Sequence, residues 1–551
     1  MPESRPPPQY LVRQEIFCHT IRTFSNARPV SKRCQVKPTD NSFDARVAII
    51  GSGFGGLGTA IRLKQAGIEN FIIFERADDV GGTWRDNTYP GCACDVESHL
   101  YSFSFAPNPD WTRSFSPQPE IWSYLKRCAR DFGVLPHIRF RHEVRESRWD
   151  EAAQCWRIET SQGSYTASVL VLASGALSAP AMPRLPGLES FRGKTFHSAR
   201  WDHTYDLTGR RVAVVGTGAS AIQFVPEIQP KVARLHVFQR TPPWIIPRHD
   251  RTLSEFEHRL FRRFPAAQRA ARAAIYLFRE LFLLPFRHLW LAGQIEQLAR
   301  RHLARSVPDV TLRAKLSPDY SIGCKRILIS NDYLPSLIRS NVEVVTEGIA
   351  EVREHSIVDR SGVERAVDAI ILGTGFQVTD PPLAKHIRGR DGRTLSEIWG
   401  GSPQAHVGTT VAGFPNLFIL LGPNTGLGHN SVVYMIEAQI EHVLAALAHM
   451  RRHAASAIEP RPEAQAAFVA DVRRRMEGTV WIAGRCVSWY LDSTGRNSTL
   501  WPDFSWRFRR RVARLNPDEY VLSFPPGAKQ PADFFEPTAI SPHSIRRNSV
   551  R

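Results

Sequence analysis

The chain has 551 residues, enough for two to four domains of ~100–200 residues each. Its 42% hydrophobic and 23% charged content is ordinary globular usage and excludes a disordered chain, a collagen and a small disulfide scaffold. Lys plus Arg number 71 against 53 Asp plus Glu, a net charge of +18 that suits anionic partners and leaves the fold open.

Residues 1–44 are Pro-rich, polar and basic, without the apolar region of a signal peptide, and read as a disordered extension. Ordered structure is expected from Arg46–Ile50, an apolar run that ends in glycines and reads as a buried parallel strand. Similar runs follow at Phe71–Phe74, Ser168–Ala173, Arg211–Val215, Arg234–Phe238, Val342–Val345 and Ala369–Leu372. Helical stretches between several of them predict an α/β fold: two doubly wound, Rossmann-like dinucleotide-binding domains.

Residues 251–315 break the alternation. Leu253, Phe256, Leu260 and Phe264 keep helical spacing, as do Ile275, Phe278 and Phe282. Thirteen Lys/Arg against five Asp/Glu give this segment 13 − 5 = +8. It reads as a helical insertion with a solvated basic face over an apolar core stripe. The alternative is a substrate-access or weak membrane-surface element. A basic, irregular tail is expected from 506 to 551.

The eight cysteines are scattered, and Cys92-x-Cys94 lacks a second pair at zinc spacing. They read as ordinary thiols of a reducing, cytoplasmic compartment, with no metal site. No apolar run approaches the ~20 residues of a membrane span. Ala273–Phe278 comes nearest, and Arg279 and Glu280 interrupt it.

The strongest feature is Val47–Gly56, where a strand runs into G-x-G-x-x-G formed by Gly51, Gly53 and Gly56, with Phe54 between. The glycines permit a tight turn, backbone approach to a pyrophosphate and close helix–strand packing. Glu75 ends the next strand, where a carboxylate accepts hydrogen bonds from a ribose. The motif recurs at Arg211–Ala221 with Gly216, Gly218 and Ala221. Thr217, Ala219, Ser220 and Gln223 fall where the second pyrophosphate would be wrapped. The position matching Glu75 is Gln239, followed by Arg240 and Thr241. A lost carboxylate and a gained guanidinium suit a 2′-phosphate. FAD at the first site and NADP(H) at the second are therefore expected, and with them hydride transfer to a flavin.

Three further stretches narrow the chemistry. Phe191–Asp202 reads F-x-G-x-x-x-H-x-x-x-W-D, Gly81–Asp95 reads G-G-x-W-x₄-Y-P-G-x₃-D, and Gly323–Arg326 reads G-C-K-R. On these residues, and on weaker similarity in Asp368–Phe376, Phe414–Asn424 and around Gly495–Pro502, the chain resembles the class B flavoprotein monooxygenases, Baeyer–Villiger type. The resemblance covers about residues 45–510.

It implies that one oxygen atom of O₂, carried as a flavin C4a-peroxide, is inserted into a ketone or aldehyde to give an ester or lactone. N- or S-oxygenation and long-chain hydrocarbon oxidation are the alternatives. It implies Arg326 as the cation beside the reacting oxygen, oriented by Asp95 and aided by Lys325 at the nicotinamide nucleotide. Gly82, Thr83, Trp84, Tyr101 and Val144 are implied flavin-pocket residues, and His197 and Trp201 hinge residues of the linker. The partners are then a small organic substrate and O₂, not nucleic acid. The expected domains are a discontinuous FAD domain, 45–180 and 365–505, around an NADP domain at 181–364.

Overall fold

The computed structural model describes residues 43–524, so the extension predicted over 1–44 falls outside it except for its last two positions. Strand Ala45–Ile50 lies inside a large sheet, parallel to Phe71–Phe74 on one side and Gly163–Leu172 on the other. Five of its six residues are buried, as a strand covered on both faces requires. Antiparallel strands Val144–Asp150 and Cys155–Thr160 extend this sheet beyond Gly163–Leu172. Ile387–Arg388 and Leu417–Ile419 return to it from late in the chain.

A second, five-stranded parallel sheet runs Val342–Val345, Arg234–Phe238, Arg211–Val215, Ala369–Leu372, Lys194–His197. The two doubly wound units of the sequence reading are both present, but the boundary at 364/365 moves. Ala369–Leu372, placed in the returning FAD part, lies between two strands of the second sheet, and Asp368 at its head pairs with Arg211 at 2.6 Å. A short, wholly apolar strand looks the same whichever parallel sheet receives it. The chain therefore crosses between the units twice, near 174–181 and 373–387. The crossings are laced together: Ala181 N–H donates to the Gly375 carbonyl at 2.8 Å, Gln377 N–H to Ala179 at 2.9 Å, and Thr374 Oγ1 to Ala181 at 2.7 Å.

The predicted insertion is helical: Glu255–Arg263, Pro265–Leu281, Leu283–Arg287, Leu289–Ser306 and Val310–Lys315. Ser254 and Glu257 cap the first helix reciprocally, and Pro265 opens the second, where its missing N–H is harmless. The expected core stripe fails in part. Leu253 is buried, but Phe256, Phe264 and Phe278 are exposed.

The tail predicted from 506 is folded as far as it is described. Ser505–Val512 is a helix with Phe508 and Val512 buried, and Tyr520–Ser523 pairs antiparallel with Ala457–Pro460. Three of its arginines are partnered: Arg507 with Asp503, Arg509 with Glu441 and Arg511 with Glu519. The reading of all cysteines as ordinary thiols is corrected too. Cys324 and Cys486, 162 positions apart, form a disulfide, while Cys92, Cys94, Cys128 and Cys155 are free and buried. Local spacing carries no signal for a bridge that the tertiary fold creates.

Candidate active site

The first glycine motif forms one wall of a cleft of about 450 Å³. Gly51 has φ +100°, and a Cβ there would lie 2.7 Å from the Ala173 carbonyl oxygen. Gly56 lies beneath the turn, where a Cβ would stand 1.8 Å from the Gly51 oxygen. Only glycine serves at either position. Gly53, Phe54 and Glu75 line the same cleft, with Gly82, Thr83, Trp84, Tyr101 and Val144 around it. Trp84 Nε1–H donates to the Tyr101 hydroxyl at 3.3 Å, and Phe54 meets the Tyr101 ring edge-on at 5.3 Å.

Glu75 is more heavily engaged than the sequence suggested. Its carboxylate pairs with Arg85 at 2.9 Å and accepts from Ser52 N, Ser52 Oγ and Ala77 N at 3.0, 2.7 and 3.0 Å. Burial alone would raise its pKa; Arg85, Ser52 and Ala77 outweigh that and hold it low. Its four lone-pair sites thus each have a donor. A ribose hydroxyl would have to replace one of these donors, of which the Ser52 hydroxyl at 2.7 Å is the one on a rotatable side chain. With that exchange, the side-chain-free floor, the acid and the helix N-terminus fit a flavin dinucleotide.

The second motif repeats the geometry. Gly216 has φ +106°, and a Cβ there would lie 2.4 Å from the Gly373 oxygen. Ser220 precedes helix Ala221–Ile228, and Thr217 Oγ1 donates to the Thr241 carbonyl at 3.4 Å. Gly218 and Ala219 are in the turn between them. Gln223, expected at the pyrophosphate, is turned elsewhere. It accepts from the Tyr89 hydroxyl at 3.0 Å and donates to the Ala93 carbonyl at 3.0 Å, clasping the segment that leads to Asp95. Arg240 is exposed after strand Arg234–Phe238. Lys325 is near enough to feel it: burial first, then the Arg240 charge, hold the Lys325 ammonium below its usual pKa. Two cations repelling each other at the end of that strand suit a phosphate.

Arg326 follows the insertion and reaches across to the first unit. Its Nε donates to Asp95 Oδ2 at 2.7 Å, and its Nη1 lies 3.5 Å from the Leu427 carbonyl oxygen. Both side chains are largely covered, 26% and 32% exposed. The Asp95 charge raises the guanidinium pKa further, against the opposing effect of burial. Burial pushes Asp95 up, but Arg326 and then Arg279 hold it below the ordinary carboxylate range. Both groups stay charged through the neutral range. Tyr101 of the flavin cleft is tied to the same segment, its N–H donating at 2.9 Å to the carbonyl of Glu97, two residues after Asp95.

The comparisons decide the family. Residues 44–275 match the family described as "Flavin-binding monooxygenase-like". A Baeyer–Villiger monooxygenase of Streptomyces coelicolor is 52% identical over 486 residues, 88% of this chain and 94% of the relative. One from Pseudomonas aeruginosa is 52% identical over 484 residues, 87% and 92% of the two chains. The chain belongs to the Baeyer–Villiger monooxygenases. Solved relatives share its architecture. Rhodococcus cyclohexanone monooxygenase bound to NADP⁺ is 29% identical with a TM-score of 0.79, covering 87% of this chain and 99% of that one. OTEMO in complex with FAD and NADP is 27% identical with a TM-score of 0.80, covering 88% and 100%. This monooxygenase is an FAD- and NADPH-dependent oxidoreductase whose reaction class is Baeyer–Villiger oxidation.

Sequence reasoning missed several residues around the Arg326–Asp95 pair. Arg279 pairs with Glu97 at 2.8 Å and donates to the Asp95 carbonyl at 3.3 Å, so the insertion helps to build the site. Its signal was a charge at helical spacing inside an apolar run. The disulfide ties Cys324, two residues before Arg326, to Cys486, and Tyr490 lies fully buried beside Arg326. His197 accepts from Ala199 N at 3.1 Å and packs edge-on to Phe376, while Trp201 packs against Phe196 and Phe224. Neither contacts the Arg326–Asp95 pair.

Proposed function

We propose that this monooxygenase converts a ketone or aldehyde to an ester or lactone at the junction of its two nucleotide units, with Arg326 as the catalytic cation and Asp95 orienting it. The observation that carries the reading is the Arg326–Asp95 ion pair at 2.7 Å, formed across the units on the segment that runs into the flavin cleft at Tyr101. The residues of the first cleft would hold FAD and those of the second motif NADPH, and the pair when bound would supply the reducing power and the activation of O₂.

The chain's own residues do the rest. Gly53 and the start of helix Phe54–Gln65 offer backbone N–H groups to the FAD pyrophosphate, while the Gly51 N–H holds the turn against the Phe74 carbonyl at 2.8 Å. Trp84, Tyr101 and Val144 wall the cleft and exclude water. Gly216–Ser220 receive the NADP pyrophosphate, with Arg240 and Lys325 at its 2′-phosphate. Arg326 holds a fixed positive charge beside developing negative charge on oxygen. A preorganised guanidinium in a water-poor site stabilises that charge without reorganising. Asp95 fixes the guanidinium plane through Nε, and with one Nη1 hydrogen towards the Leu427 carbonyl three Nη N–H groups remain for the reactants.

The test is a panel of ketones, aldehydes and sulfides incubated with NADPH and isotopically labelled dioxygen, read by mass spectrometry. An ester or lactone carrying one labelled oxygen is expected. Sulfoxide formation with no ester from any carbonyl compound would overturn the substrate class.

A further inference from the structure

We propose that the outer face of helix Pro265–Leu281 is a docking surface for an anionic lipid bilayer. The helix is built with its polar side turned inward. Gln268 Nε2 donates to the Asn108 carbonyl at 2.6 Å, and Arg272 donates to the His99 carbonyl at 2.7 Å. Tyr276 shares a hydrogen bond with Ser505 Oγ at 3.0 Å, and Arg279 pairs with Glu97. Glu280 is buried and accepts from Asn430 Nδ2 at 2.7 Å and Ser505 Oγ at 2.6 Å. Steps of three and four residues place these groups along one side of the helix.

The opposite side carries Ala270, Ala273, Ala274, Leu277, Phe278 and Leu281, all exposed. Leu277, Phe278 and Leu281 are 63%, 56% and 59% exposed. Phe264, just before the helix, and Trp506, next to the Ser505 that bonds Tyr276 and Glu280, are exposed as well. A helix on a globular protein normally turns its apolar stripe to the core. Here a satisfied polar network fills that side, and the apolar stripe faces out.

Charge identifies the occupant. Arg263 and Arg269 are exposed beside the stripe and form no ion pair among the described residues. The surrounding segment 251–315 carries 13 − 5 = +8. An apolar stripe flanked by arginines is the composition of a helix lying in the plane of an anionic bilayer. A second copy of this chain would bring the same +18 and the same arginines to the contact, so self-association is disfavoured. The helix lies on the surface rather than spanning it: none among the described residues is long and apolar enough to cross a membrane.

The experiment co-sediments the full-length, FAD-loaded enzyme with vesicles of phosphatidylcholine alone or mixed with phosphatidylglycerol, at low and high salt. The enzyme should pellet with the mixed vesicles at low salt and stay in solution with phosphatidylcholine alone. A chain carrying Leu277→Gln, Phe278→Gln and Leu281→Gln should lose at least tenfold in partitioning while keeping its yellow colour and NADPH oxidation rate. A second chain with Arg263→Gln and Arg269→Gln should lose roughly twenty-five-fold, at about fivefold per charge. Unchanged pelleting of either variant would overturn the proposal and assign binding to another face. So would a wild-type enzyme that ignores both vesicle types. So would a dimer that the triple variant makes monomeric without any vesicle binding, which would make the stripe a contact between copies.

Discussion

Replacing Arg326 with alanine should separate flavin reduction from oxygen transfer. The guanidinium has five N–H donors. Nε is committed to Asp95 and one Nη1 hydrogen lies towards the Leu427 carbonyl, so three remain for the reacting oxygen. Removing one preorganised donor to developing negative charge costs about 10²–10³-fold in rate, or ~3–4 kcal/mol. Arg326→Ala also leaves Asp95, largely covered, without its bonded partner and with only the weaker influence of the Arg279 charge beside the same oxygen. The loss of ester formation should therefore fall at the upper end of that range. Arg326→Lys keeps the charge but loses the fork, and should fall between. Anaerobic stopped-flow with NADPH would follow bleaching of the flavin, and mass spectrometry would count ester formed per NADPH consumed. Bleaching should stay close to the wild-type rate while ester yield collapses and hydrogen peroxide rises. Wild-type ester yield from Arg326→Ala would refute the assignment, and so would bleaching lost as completely as ester.

Arg240→Ala should raise KM for NADPH by roughly ten- to a hundredfold, the worth of a charge-assisted hydrogen bond, and leave KM for NADH nearly unchanged. Equal shifts in steady-state assays with the two nucleotides would remove the 2′-phosphate role. Cys486→Ser opens a link across 162 positions, whose loop entropy amounts to at most about 5 kcal/mol. The variant should unfold at lower denaturant, and an unchanged midpoint would show that the link adds nothing to stability. His442 is buried between the Val512 carbonyl and the Tyr520 hydroxyl, and burial lowers its pKa to about 4. The unfolded chain takes up this proton near pH 6.5 and the folded chain only near 4. Stability from this group is therefore present above about pH 6.5 and lost as pH falls towards 4, by ~3 kcal/mol in all. His442→Gln should flatten that part of the stability profile in chemical denaturation.

Both glycine turns were legible in the sequence because each combines a buried strand, a positive-φ glycine and a helix start within a dozen residues. The Arg326–Asp95 pairing was legible only through family resemblance, since 231 positions separate the two. Local pattern failed wherever a choice depended on distant partners. Ala369–Leu372 is apolar enough for either sheet, and its neighbours are strands far away in sequence. The arginines of Ser505–Val512 look like a loose tail until Glu441 and Glu519 are placed beside them. Helix Pro265–Leu281 misled for a different reason. Periodicity locates an apolar stripe but not the direction it faces, and an inward network of Gln268, Arg272 and Arg279 reverses the usual answer.

The paired crossings near Ala181 and Gly375 limit how the two nucleotide units can move. A single tether would allow swivel and drift in any direction. Two strands fastened side by side behave as a flat strap, easy to twist about its length and hard to shear. Rotation about the strap is then the easy way for the two nucleotide sites to change how they face each other. The clasp of Gln223 on Ala93, two residues before Asp95, is a further tie between the units that any such twist must strain or carry along.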